Sequence, residues 1–209
     1  QEKEEALAEA AEALEAAESG GKSGGKSEPE LTVEIVEKLR ASIGPRESWK
    51  TGSAAEIVQK QDASTKLLDH LIYLCDTSAK GSKNRKAARD AGVFDDLQLA
   101  LYKYEEVLPL QLRCMRVIDA LCRKAEKEDM QEAGATVIWP LATAMRNFHF
   151  AGPDELDELA TPGVNAFRAL TRNHRNNTTK CARSGGLLGW LSDDSNVLAP
   201  DEMTTEYEP

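Results

Sequence analysis

Apolar residues recur along this chain at spacings of three and four and nowhere in a sustained alternation, so each periodic stretch predicts helix and none predicts strand. In LTVEIVEKLRASI, Leu31, Ile35, Leu39 and Ile43 fall on one helical face, and GPRESWKTG then breaks the pattern. A longer helical pattern opens near Ser53 and runs through STKLLDHLIYLCDTSA, where Leu67, Leu68, Leu71, Leu74 and Cys75 stack at i, i+3 and i+4. The expected fold class is all-α.

The ends of the chain lack this periodicity. Residues 1–19 are nearly all Glu and Ala, with Leu7 and Leu14 as a thin apolar stripe, so they predict a single helix or a flexible acidic arm. Residues 20–29, GGKSGGKSEP, have the composition of a flexible linker. Residues 30–194 form the helical body. Residues 195–209 are acidic, contain Pro and are expected to be a disordered tail, in which Thr204, Thr205 and Tyr207 sit among acids as an acidophilic kinase would require.

Within the body, three segments align on a small residue followed by Gly: Asn84 to Leu101, Lys127 to Met145 and Asn177 to Asp194. Each has a polar or basic helical turn, then Ala91-Gly92, Ala133-Gly134 or Ser184-Gly185, then an apolar helix. Gly92 and Gly134 are 42 apart and Gly134 and Gly185 are 51 apart, an excess that matches the acidic stretch AGPDELDEL, expected as an insertion between helices. A longer helix precedes each segment: LLDHLIYLC, LQLRCMRVIDALC and GVNAFRALTR. Pro109 marks the start of the second, and Thr161-Pro162 reads as N-cap and first turn of the third.

This three-helix unit, with its Ala/Ser-Gly turn and the A-L or Y-L pair near the end of each long helix, resembles the armadillo repeat. The resemblance covers roughly residues 53–194 and implies an armadillo-like α-solenoid of about three to four repeats, in which neighbours bury one another's apolar faces. Armadillo proteins related to importin-α and β-catenin set their third helices side by side on a concave surface, where an Asn one residue before the final Leu grips an extended peptide. Aligning Leu74, Leu121 and Leu170 puts Tyr73, Ala120 and Ala169 in the Asn position, and Asp69, Arg116 and Asn165 where a Trp often stands. The backbone-clamping ladder is therefore absent, and binding of a basic import signal is not expected. The resemblance instead implies a groove lined by Lys66, Asp69, Tyr73, Arg113, Arg116 and Asn165.

Charge changes this picture in one respect. The chain has a formal net charge of −10 and a pI near 4.9, which argues against non-specific binding to nucleic acid or anionic membrane. Yet no Asp or Glu occurs between Glu158 and Asp193, while Arg168, Arg172, Arg175, Lys180 and Arg183 all do, and a second basic run spans Lys80 to Arg89. Stacked repeats place equivalent junctions on one edge, so these runs predict a basic ridge that favours an acidic partner. The competing reading is that they complement helix C-termini and need no ligand. The acidic arm itself complements such a ridge.

Candidate chemistry adds little. GGKSGGKS fits G-x-x-x-x-G-K-[ST], but a phosphate-binding loop needs a strand before it and a helix after it. Here EALEAAES precedes, Glu28-Pro29 is expected to interrupt any helix, and the match is a tandem linker unit. His70 sits on a helix among leucines, His149 in NFHF at a helix end and His174 in a basic turn, and none of the three suggests the converging groups that catalysis needs. Cys75, Cys114, Cys122 and Cys181 show no metal spacing and read as buried reduced thiols. Trp139 and Trp190 are expected to pack between repeats and Trp49 to cover the first one. No apolar run is long enough to span a bilayer. The chain opens on Gln1 rather than Met and is expected to be a piece of something longer, working in the cytoplasm, with the nucleus as the alternative.

The expected function is that of a non-enzymatic scaffold or adaptor with no cofactor, binding a protein partner, one with an acidic segment, through the third-helix face or a basic edge that includes Arg168, Arg172 and Arg175. Two alternatives stand beside it: an exchange-factor-like adaptor acting on a chaperone or GTPase, and an RNA-associated helical repeat protein, the latter favoured by Asn173, Asn176 and Asn177.

Overall fold

The computed structural model describes residues 26–46, 53–123, 127–149 and 153–184. The acidic arm, most of GGKSGGKS, Trp49, the segment from Gly185 through Trp190, and the tail lie outside the described residues. Among those described, 86% are helical and none is in a strand, as the periodicity predicts.

The first helix, α1 (Glu28–Ile43), begins earlier than its apolar pattern. Ser27 stands at its N-cap, with its backbone N–H donating to Glu30 Oε2 at 2.8 Å and its hydroxyl at 2.9 Å. Pro29 lies in the first turn, where a missing N–H leaves no bond unmade. Residues 28 and 29 thus belong to the helix and not to the linker. Thr32, Ile35, Val36, Leu39 and Ile43 are buried, and Leu31 is only half-buried.

The second helix, α2 (Ala54–Ile72), starts at Ser53, whose hydroxyl accepts from the Glu56 N–H while Glu56 reaches back to the Ser53 N–H, a reciprocal cap. A wider π turn, Tyr73–Thr77, continues it. There follow α3 (Gly81–Asp90), α4 (Val93–Lys103), α5 (Leu108–Cys122) with Pro109 in its first turn, and α6 (Lys127–Ala133). A 3₁₀ turn, Gly134–Val137, leads into α7 (Ile138–His149), and α8 (Pro153–Thr171) and α9 (Arg175–Arg183) close the described chain.

Two expectations need correction here. Within AGPDELDEL, Pro153 to Leu159 belong to α8, which starts at Pro153 and runs on through Pro162, so this part of the expected insertion lengthens a helix. Thr161-Pro162 is a valid start signal locally, but Pro162 stands inside α8, where the lost N–H and the ring's clash with the carbonyl four residues back cost about 3 kcal/mol or more; against that cost α8 has its broad contact with α5. Trp139 is not packed between helices but 46% exposed. The buried positions Val93, Phe94, Leu97, Ala100 and Leu101 recur as Val137, Ile138, Leu141, Ala144 and Met145, a spacing of 44 and not the 42 that separates the glycines. The 3₁₀ turn supplies the two extra residues, which puts Trp139 at the place of exposed Asp95.

Packing follows the order of the chain: α1 lies against α4 and α4 against α7, while α2 lies against α5 and α5 against α8. One continuous apolar cluster runs from Ile35 of α1 to Cys181 of α9. Buried apolar area of this kind is the main term favouring the folded state.

Candidate functional site

Two buried or half-buried polar contacts recur along the chain. Asn84 donates from Nδ2 to the Leu74 carbonyl at 3.0 Å, and Asn177 does the same to the Leu170 carbonyl at 3.0 Å. Each asparagine stands eight residues before a turn glycine, Gly92 or Gly185. The following residue repeats the device, with Arg85 Nη1 donating to the Cys75 carbonyl at 2.7 Å and Thr178 Oγ1 to the Thr171 carbonyl at 3.2 Å. These donors satisfy the open carbonyls at the ends of α2 and α8. On the other side, Arg40 of α1 donates to the Ala91 carbonyl at 2.6 Å and Arg146 of α7 to the Ser184 carbonyl at 3.0 Å. Arg40 also grips buried Asp96 through two bonds of 3.0 and 2.9 Å. Burial pushes the Asp96 carboxyl up despite the guanidinium.

With the buried residues Leu74, Leu121 and Leu170 fixing the register, α2, α5 and α8 present comparable outer positions. Ala120 and Ala169 are only 1% and 5% exposed, so the row expected to face a groove lies mostly inside, where small side chains let α5 approach its neighbours. Tyr73, in the π turn, is half-buried. The exposed charges begin one turn earlier. Asp69 of α2 is held by Arg113 of α5, whose Nε lies 2.9 and 3.0 Å from its two oxygens. Within α5, Arg123 Nε donates to Asp119 at 2.9 Å. The hydrogen bond to Asp119 raises the Arg123 pKa most, and the charge of Asp76 at the end of α2 adds to it. The π turn that continues α2 packs against α5.

Four cations remain outside these pairs. Lys66 on α2, Arg116 on α5, Arg168 on α8 and Arg172 just past its end are exposed and make no ion pair among the described residues. Asn165, half-buried on α8, takes the place equivalent to Arg116. Arg175 opens α9, off this row. Lys66, Asp69, Arg113, Arg116, Asn165 and Arg168 thus stand on the mutually packed helices α2, α5 and α8, with Arg172 just past the end of α8, and of these Asp69 and Arg113 are in direct contact. Sequence reasoning missed Asp119 and Arg123, whose i, i+4 spacing is the only sign they carried.

The basic edge is not continuous. Arg85 is buried, Arg89 is paired with Asp90 at 2.9 Å and Asp129 at 3.2 Å, and Lys80 lies 3.8 Å from Glu28. Between α3 and α9 stands α6, tied to α3 through Asp129 and to α9 through the Asn177 bond to the Gln131 carbonyl at 2.6 Å. It exposes Glu128, Asp129 and Glu132. Interposed carboxylates divide the predicted ridge into two patches.

Other candidates have structural partners. Asn173 adopts φ +62°, the left-handed turn that ends α8, and Asn177 is buried on backbone carbonyls. The His174 ring accepts the Asn177 N–H at 3.3 Å and caps α9. His70 is half-buried in the last turn of α2, and the His149 side chain lies outside the description. All four cysteines are free and buried; burial pushes the Cys75 and Cys114 thiols up to about 12 and the Cys181 thiol up to about 11. Contrary to expectation, a helix does begin at Lys26-Ser27. Its N-terminus is taken by the Glu30 carboxylate, and Lys26 lies 2.5 Å from Glu34, whose carboxyl is held down at about 2 by hydrogen bonds from Lys26 and Lys38. Among the described residues, no helix is long and apolar enough to cross a membrane, and no three His, Cys, Asp or Glu side chains are grouped to hold a metal. Comparison with protein-family models, curated proteins and solved structures finds no match to the chain.

Proposed function

We propose that this chain is a non-enzymatic interaction module, an armadillo-like stack that binds an acidic segment of a protein partner across its third helices. The observation that carries the reading is the set of exposed cations, Lys66, Arg116, Arg168 and Arg172, that have no ion pair among the described residues on helices where Asp69 pairs with Arg113 and Asp119 with Arg123. In a chain of net charge −10, such a face concentrates positive potential where most of the surface repels anions. The stacked-repeat reading is supported by the recurring bonds of Asn84 and Asn177 and of Arg40 and Arg146. The divided edge on α3 makes the edge the weaker candidate.

A fluorescein-labelled oligo-glutamate peptide, followed by anisotropy with the full chain at low salt, tests the assignment. Arg116→Glu and Arg168→Glu are each expected to weaken binding by about fivefold, the upper range for an exposed charge pair, with the difference shrinking at high salt. Lys83→Glu with Lys86→Glu on α3 is the control and is expected to change little. Binding that is indifferent to Arg116 and Arg168, or weaker than that of a labelled single-stranded RNA, would overturn the proposal.

A further inference from the structure

The chain itself carries a candidate for this face. Residues 1–18 hold Glu2, Glu4, Glu5, Glu9, Glu12, Glu15 and Glu18 against the lone Lys3, and Glu5, Glu9 and Glu12 are spaced at i, i+4 and i+7, as one side of a helix would require. Where this segment joins the body is fixed by α1. The Glu28 carboxylate accepts hydrogen bonds from the Ser78 hydroxyl and from Asn84 Nδ2 at 2.9 Å, so the start of α1 is pinned to the turn that follows Asp76. The π turn Tyr73–Thr77, which ends just before Ser78, packs against α5, and α5 packs against α8, past whose end stands Arg172. The chain therefore enters the fold at the edge of the cationic face.

Reach agrees with charge. Packed helices lie about 8–10 Å apart, so Arg172, two helices beyond α2, is roughly 16–20 Å along the row. Residues 19–25, Ser-Gly-Gly-Lys-Ser-Gly-Gly, extend to about 23–25 Å. As a helix, residues 1–18 measure about 27 Å, enough to cross all three third helices.

We infer that residues 1–18 dock through their glutamates on the third-helix face, against Arg116, Arg168 and Arg172, and compete there with an acidic partner. The inference rests on reading that face as an acceptor of acidic segments. Its basis is the junction at Glu28 and the set of arginines without a carboxylate partner among the described residues.

Ala10→Cys in the full chain provides a single accessible thiol, since the four native cysteines are buried. With a nitroxide at that position, the backbone amides of 116, 168 and 172 are expected to lose intensity at low salt and to regain it at high salt. The same loss is expected to disappear in the Arg116→Glu, Arg168→Glu, Arg172→Glu triple variant. Replacing the seven glutamates by glutamine should abolish the loss and strengthen binding of the labelled oligo-glutamate peptide. Intensity loss centred on Lys83 and Lys86 of α3, or none on α5 and α8, overturns the docking. If the peptide still binds in an arginine-dependent way in that case, the docking alone fails and the proposed function stands. Intensity loss on α5 and α8 without peptide binding, even in the glutamine variant, upholds the docking and removes the partner-binding reading.

Discussion

Gly92 and Gly134, which align with one another in the sequence, are required for different reasons. Gly92 has φ +85°, a conformation that costs an L side chain about 1–2 kcal/mol. Gly134 has no such φ, but a Cβ there would stand 2.6 Å from Leu170 Cδ2 and 3.0 Å from Phe94 Cε1. Gly134→Ala is therefore expected to destabilise the fold by about 1–3 kcal/mol in urea unfolding, through overpacking. Leu170→Ala should absorb part of that penalty in the double variant and leave the cost of Gly92→Ala unchanged. Additive effects at positions 134 and 170 would refute the crowding account. The glycines themselves were legible in the sequence, as were the buried thiols. The crowding at Gly134 was not, since Leu170 lies 36 positions away.

At the scale of elements, start signals were read correctly where the first turn was free of competing structure, as at Ser53 and Pro109. They misled where a helix already ran through them, as at Thr161-Pro162. The start of α1 carries a pH signature. Burial by itself would raise the Glu28 carboxyl, but the hydrogen bonds from Ser78 and Asn84 and the charge of Lys80 outweigh it and hold the group below its ordinary 4.5. A depressed carboxyl contributes stability in full above its unfolded value, and this is lost as pH falls through the lower folded value. Glu28→Gln is thus expected to be less stable than the parent above about pH 4.5 and to converge on it in more acidic solution. Parallel urea midpoints through the acid range would rule out this linkage.

For the molecule as a whole, one apolar cluster joins α1 to α9, so the described helices should melt together. Calorimetric and van't Hoff enthalpies are expected to agree, and a calorimetric value well above the van't Hoff one would reveal units that unfold separately. Helix class, the sites of the sharp turns, the buried thiols and the wealth of cations after Glu158 follow from the sequence alone. Propensity and i, i+3, i+4 spacing act over one or two turns, within reach of a linear reading. Which of those cations are left without a carboxylate was decided by the tertiary structure. Arg40 finds Asp96 across 56 residues and Arg113 finds Asp69 across 44, while Arg116, Arg168 and Arg172 find none among the described residues. Charge pairing falls off steeply with distance in water, and only the packing of α2, α5 and α8 sets those distances.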